Sequence, residues 1–157
     1  SIVLGAGDWD SGSAALVKNT YKGLPFFPKG ATGFTDVRDI ADIILAAIPS
    51  DIYNERFVVN GANCSYERFF TELSEALEVK PPSRPLPNWL ASVFWRFESL
   101  KSRLTGIRPI VTQHSLEASR KTIKYNSEKS LCFLPDGYRD LQDTIEYLAR
   151  EFKSTEG

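Results

Sequence analysis

Short β-branched runs alternate with helix-period stripes along the first half of this chain, and that alternation limits the folds open to it. Ile2-Val3-Leu4 reads as the end of a buried strand running into the loop Gly5-Ala6-Gly7. Ser13 is expected to cap a helix over 14–22, with Leu16, Val17 and Tyr21 on one side and Gly23 and Pro25 closing it. A loop rich in aromatic, Pro and Gly residues follows over 26–33, then an extended piece over 34–37 that leads to Asp39 as the cap of a second helix. In that helix Ile40, Ile43, Ile44, Ala47 and Ile48 follow i, i+3, i+4, i+7, i+8, and Pro49 ends it. Arg56-Phe57-Val58-Val59-Asn60 reads as a buried strand broken by Gly61, and Ser65 caps a third helix striped by Phe69, Phe70, Leu73, Ala76 and Leu77. Strand-helix alternation of this kind predicts an α/β arrangement with a parallel sheet, whose strands need cover on both faces. Two or three strands make half such a sheet.

The second half is different in kind. Pro81, Pro82, Pro85 and Pro87 stiffen a connector over 80–87. Asn88 is expected to cap a long helix reaching Thr105, dense in aromatic bulk at Trp89, Phe94, Trp95 and Phe97 and stopped by Gly106. Thr112 opens a short helix, Lys124-Tyr125 reads as a small strand, Asn126 starts a turn, and Leu141, Ile145, Leu148 and Phe152 stripe a final helix. The 157 residues are enough for one core without staples, and the division expected within that one compact unit is 1–79 and 80–157.

Charge and cysteine content remove several function classes. Nineteen Lys and Arg stand against 20 Asp and Glu, so nothing points to nucleic acid or an anionic membrane as partner. No apolar run approaches the length of a membrane span. Cys64 and Cys132 lie far apart and the single histidine, His114, cannot complete a metal site with them, so no metal is expected and reduced thiols in a cytoplasm fit best. The absence of methionine and a start inside an apolar run lead us to expect an excerpt of a longer protein.

Three motifs invite chemistry and fall short of it. Gly5-Ala6-Gly7 follows a strand, but the third glycine of a dinucleotide fingerprint is missing and Asp8 and Asp10 would face the pyrophosphate. Gly7 to Ser13 has the gap of a phosphate loop, with Ser13 where lysine is needed. Tyr125 and Lys129 have the Y-x-x-x-K spacing of a proton-relay pair, which needs both on one helical face, whereas an N-cap at Asn126 leaves Tyr125 outside the helix. His114 has no G-x-S-x-G serine to serve, and the aromatic stripe of 89–105 reads as core before it reads as a partner surface. No catalytic residue is assigned.

Taken in order, Ser1-Ile2-Val3-Leu4-Gly5-Ala6-Gly7-Asp8, then Gly33-Phe34-Thr35-Asp36-Val37-Arg38-Asp39-Ile40-Ala41, then Arg56 to Gly61 with Ser65 after it, resemble the C-terminal half of extended short-chain dehydrogenases, the NAD-dependent epimerase/dehydratase family. Pro85 to Ala91, Thr112 and Tyr125 to Leu131 are most similar to the branch holding dihydroflavonol reductases and hydroxysteroid dehydrogenases. The resemblance implies the C-terminal portion of a Rossmann-type parallel sheet plus a mostly helical substrate-binding lobe. It implies that Ser1 and Ile2 follow the sixth strand and lie near the nicotinamide, and that Trp9, Ser11, Ser13, Phe27, Gly33 and Phe34 border the substrate. Asp39 matches a helix-capping position of structural role. The family's cofactor fingerprint and catalytic pair lie upstream of Ser1, so NAD or NADP is expected in the full-length parent and no tight cofactor binding to this chain alone.

The function expected from that resemblance is the substrate-binding part of an NAD(P)-dependent oxidoreductase acting on a carbonyl or alcohol carbon of a small, largely apolar molecule. Its partners are then a small-molecule substrate and the missing N-terminal half, with a homodimer left open. A nucleotide-sugar epimerase or dehydratase half and a non-catalytic binding or dimerisation module stay as alternatives. Thr32 stands where the nucleotide-sugar enzymes commonly carry a diphosphate-binding arginine, and the loop with Pro25, Phe26, Phe27, Pro28 and Phe34 suits an apolar substrate, although Lys29 or Arg108 could still meet a phosphate.

Overall fold

The structure, a computed structural model, describes residues 1–87 and 118–156. Its centre is a three-stranded sheet ordered β1-β3-β4: β1 (Ile2–Leu4), β3 (Ala31–Asp36) and β4 (Ala62–Ser65). β1 runs parallel to β3 with Ile2 opposite Phe34, whereas β4 runs antiparallel with Gly33 opposite Asn63. The fold is α/β, with a mixed sheet where the sequence predicted a parallel one. A second, two-stranded parallel sheet joins β2 (Phe26–Phe27) to β5 (Arg84–Pro85), so the loop expected over 26–33 and the proline connector hold each other.

Helices α1 (Ala15–Tyr21), α3 (Tyr66–Ala76) and α4 (Leu141–Glu156) pack together over one face of β3. The stripes of α3 and α4 meet as expected, whereas of the three apolar residues expected on α1 only Val17 is fully buried: Val17, Phe69, Leu73, Leu77, Ile145, Leu148 and Phe152 lie around Leu4 and Phe34. Burying such a side chain contributes about 1.5–3 kcal/mol, which makes this cluster the main cohesive element. Phe34 stacks on Phe69 at 4.3 Å, fastening β3 to α3. The other layer is thinner, with α2 (Val37–Ala47) resting on a 3-10 helix (Glu128–Phe133) through Ile43, Phe133 and Leu134.

Several local expectations are corrected. Arg56-Phe57-Val58-Val59-Asn60 is not a strand, because side chains rather than a neighbouring strand take its carbonyls. Ser130 donates to Val58 O at 2.9 Å, Ser127 to Asn60 O at 2.6 Å and Ser1 to Val59 O at 2.8 Å. Asp39 does not cap α2; Asp36 does, accepting from Arg38 N at 2.8 Å. Asp39 sits one turn in, buried, paired with Arg139. Ser13 does not cap α1 either, since its hydroxyl donates to Val3 O and the helix begins after Ala14 without a side-chain cap. Lys124 and Tyr125 form no strand; the extended contact there is a parallel bridge from Thr122 to Ala31. Ser65 caps α3 as expected, accepting from Arg68 N at 3.2 Å.

The stripe on α2 is real but divided. Ile43 is buried while Ile44, Leu45 and Ile48 are 53%, 67% and 75% exposed, next to exposed Ile52 and Tyr53. The expected helix over 89–105, Thr112, His114 and Arg108 lie outside the described residues.

Candidate functional site

The residues expected to face a ligand divide between the packed core and the start of β1. Gly33 and Thr35 alternate with Thr32, Phe34 and Asp36 along β3, so the two sets lie on opposite faces of the strand. On the Gly33 face the chain approaches unusually closely. A Cβ at Gly33 would lie 1.7 Å from Asn60 Oδ1 and 2.8 Å from Tyr125 Cδ2, so only glycine leaves room there. Tyr125 is held in place by its backbone: Asn63 Nδ2 donates to Tyr125 O and Tyr125 N donates to Asn63 Oδ1, both at 2.9 Å. A single side-chain amide here does the work of a ladder pair.

One residue further along the same face, a chain of hydroxyls ties β1, β3 and the 56–61 segment together. Gly61 N donates to Thr35 Oγ1 at 3.2 Å, Thr35 donates to Ser1 Oγ at 3.3 Å, and Ser1 donates to Val59 O. Each hydroxyl donates to a protein acceptor, so the chain fixes the start of β1. Asn60 is buried, and its Oδ1 has no hydrogen-bond partner among the described residues.

On the opposite face Thr32 is buried, near enough to Tyr66 to influence its phenol. Burial pushes the Tyr66 phenol above its ordinary value and Tyr125 adds to this, against the opposing effect of Thr32. Burial likewise pushes the Cys64 thiol up. Both groups therefore stay protonated near neutrality and suit packing and hydrogen bonding better than nucleophilic attack.

The remaining expected residues are found as follows. Ser1 is exposed, and Ile2 is partly buried against the core. Trp9 is buried and meets Phe152 edge-on at 5.2 Å, while Ser11 donates to Asp8 Oδ2 at 2.8 Å. Ser13 holds Val3, Phe27 is buried in β2, and Phe34 is buried between Phe69 and Tyr66. Ser1, Gly33 and their neighbours Thr35, Asn60 and Tyr125 are thus brought together at the start of β1. Trp9, Phe27 and Phe34 all join the main core.

Asn60, Asn63, Thr35 and Tyr66 escaped sequence reasoning. The one signal for them was Gly33, expected at the end of a loop and found inside β3, where a glycine means that something comes close. Tyr125 lies outside the 3-10 helix and Lys129 inside it. Lys129 is committed elsewhere, pairing with Glu55 and lying 4.6 Å from the centre of the Phe57 ring.

The residues present do not fit a dinucleotide pyrophosphate. The loop before α1 carries Asp8 and Asp10, and the Asp8 carboxyl is held below its ordinary range by hydrogen bonds from Ser11 and from the Asp10 backbone. That negative charge stands where a phosphate would need backbone donors and no carboxylate. Among the described residues no group of His, Cys, Asp and Glu is placed to hold a metal ion, and no helix is long and apolar enough to cross a membrane.

No protein-family model and no curated protein matches the chain. Solved structures do. A protein named gox2253 is similar over 99% of this chain at 23% identity, with a TM-score of 0.72. Yeast methylglyoxal/isovaleraldehyde reductase Gre2, solved with NADPH, is similar over 99% at 20% identity and a TM-score of 0.57. Gre2 from Candida albicans, also solved with NADPH, is similar over 100% at 17% identity and a TM-score of 0.61. This chain spans 48%, 45% and 43% of those three, so it has the fold of slightly less than half of each.

Proposed function

We propose that this chain is the substrate-side, C-terminal part of an NAD(P)-dependent oxidoreductase of the extended short-chain type, which reduces or oxidises a carbonyl or alcohol carbon of a small, largely apolar molecule. The observation that carries the reading is the likeness over the whole of this chain to less than half of two reductases solved with NADPH. Two features of the fold support it. Among the described residues β1 is an edge strand, and on α2 and its C-cap an apolar surface of Ile44, Leu45 and Ile48 lies open, which is what the rest of such a sheet and its helices would cover. The N-terminal half is accordingly the first partner, with Ser1 and Ile2 at the junction nearest the nicotinamide.

Thr32 supports an apolar substrate over a nucleotide-sugar. It is buried near Tyr66, and a hydroxyl supplies no charge to a diphosphate. The exposed face of α2 also favours a second reading, a free-standing dimerisation module. Mass spectrometry of the protein as made in its source cell separates the two: about twice the 17.6 kDa of this chain is expected, and a mature chain of 17.6 kDa would overturn the enzyme reading. Calorimetry on the longer protein with NAD(P)H then tests the substrate class. Turnover of a hydrophobic ketone without binding of a free nucleoside diphosphate is expected, and tight diphosphate binding would refute it.

A further inference from the structure

A groove of about 480 Å³ lies between the end of α1 and the proline connector, lined among others by Leu24, Pro25, Phe26, Lys80, Pro81 and Arg84. None of its lining residues belongs to the Ser1–Gly33 site. Its geometry follows from the small sheet. β2 and β5 run parallel with Phe26 opposite Arg84, and Leu86 N donates to Phe27 O at 2.8 Å. Phe27 turns into the core, and its neighbour Phe26, pointing the other way along the strand, contributes an aromatic wall to the groove. Paired residues on adjacent strands project to the same side, which brings the Arg84 side chain beside Phe26. Lys80 and Arg84 are exposed, and neither side chain has a hydrogen-bond or ion-pair partner among the described residues.

The lining thus joins an apolar floor of Leu24, Pro25, Phe26 and Pro81 to two cations that no carboxylate among the described residues neutralises. Arg84 supplies a planar fork suited to a carboxylate, and Lys80 a mobile point charge. The volume suits a medium-sized small molecule. We propose that this groove binds a monoanionic amphiphile, an aliphatic or aromatic carboxylate whose hydrocarbon part lies along Pro25, Phe26 and Pro81 and whose head lies between Lys80 and Arg84. The groove shares Pro25 and Phe26 with the loop expected to suit an apolar substrate, but the carboxylate-binding proposal needs no redox chemistry and would hold for a module without it.

Titration calorimetry on the full-length protein that carries this chain, with decanoate and with 1-decanol, tests it. Decanoate is expected to bind several-fold more tightly than decanol at 50 mM salt, and the preference to vanish at 1 M salt, because exposed cations act through screened attraction. K80Q/R84Q is expected to weaken decanoate about fivefold and leave decanol unchanged, because exposed charge pairs contribute only modestly. K80R/R84K keeps both charges and one guanidinium fork in the groove, and is expected to bind decanoate within about twofold of the unmodified protein because the attraction is mainly screened charge. Equal binding of the two probes, an unaltered decanoate affinity in K80Q/R84Q, or no binding of decanoate would each overturn the proposal. Since the salt titration uses the unmutated protein, a variant that fails to fold does not shield the proposal from refutation.

Discussion

Replacing Gly33 by alanine tests whether the close approach at the start of β1 holds this half of the fold together. The added methyl would lie 1.7 Å from Asn60 Oδ1 and 2.8 Å from Tyr125 Cδ2, both far inside van der Waals contact. Asn60 is buried and its backbone carbonyl is held by Ser127, so its side chain has little freedom to withdraw. Overpacking of this kind costs about 1–3 kcal/mol. A shift of Tyr125 would also stretch its two hydrogen bonds to Asn63, worth about 1 kcal/mol each. Gly33→Ala is therefore expected to lower stability by about 2–4 kcal/mol, read as a shift of the urea midpoint at unchanged m. Asn60→Ala removes an oxygen that has no partner among the described residues and should cost less than about 1 kcal/mol, since relief of the buried oxygen offsets the lost packing. In the double variant the methyl enters the space the amide left, giving a favourable coupling of at least about 1 kcal/mol. A Gly33→Ala cost under about 0.5 kcal/mol, or strict additivity in the cycle, would refute the reasoning.

Arg139→Met should cost about 2–3 kcal/mol in a denaturant titration, because it strands the buried Asp39 carboxylate and frees Asp42 as well. Asp36 gives the acid limb of stability. Burial alone would push its carboxyl up, but Arg38, through side chain and backbone, together with Thr144, outweighs this and holds it below the ordinary 3.8. A depressed folded value means that the stabilisation is present above 3.8 and is lost as pH falls through the folded value, so Asp36→Asn should flatten the acid end of a stability profile between pH 5 and 2. Ser65→Ala should lower the melting midpoint by the equivalent of about 1 kcal/mol through loss of its cap, whereas Ser13→Ala should leave helix 15–21 intact by circular dichroism.

What could be read before the fold was known tracks where the physics is local. The stripes of α3 and α4 were legible because their apolar residues recur at helical spacing and meet one core, and Ser65 because a cap acts within three residues. Asp39 misled because Asp36, three residues earlier, is an equally good cap, and only the partner at Arg139, 100 positions away, fixes which of them goes inside. The 56–60 segment has strand composition, yet Ser1, Ser127 and Ser130 claim its carbonyls from elsewhere in the chain. Phe27, Phe34 and Trp9, expected to border the substrate, are buried in the core, and an aromatic residue looks the same in sequence whether it lines a pocket or fills one. Asn60 and Asn63 left no trace beyond Gly33, and Tyr125 stood out only for its spacing to Lys129, because their partners lie on other segments.

The amide clamp between Asn63 and Tyr125 also sets a time order for folding. Its partners are 62 residues apart, so they must find each other after a long excursion, and closing a loop of that length is paid in chain entropy before the two bonds give anything back. The Phe34–Phe69 stack and the Ser65 cap close far shorter loops and can form early. Segment 123–127 would then dock after the Phe34–Phe69 stack and the Ser65 cap have formed, and its amides are expected to exchange with solvent sooner than those of α3 when the native protein opens locally.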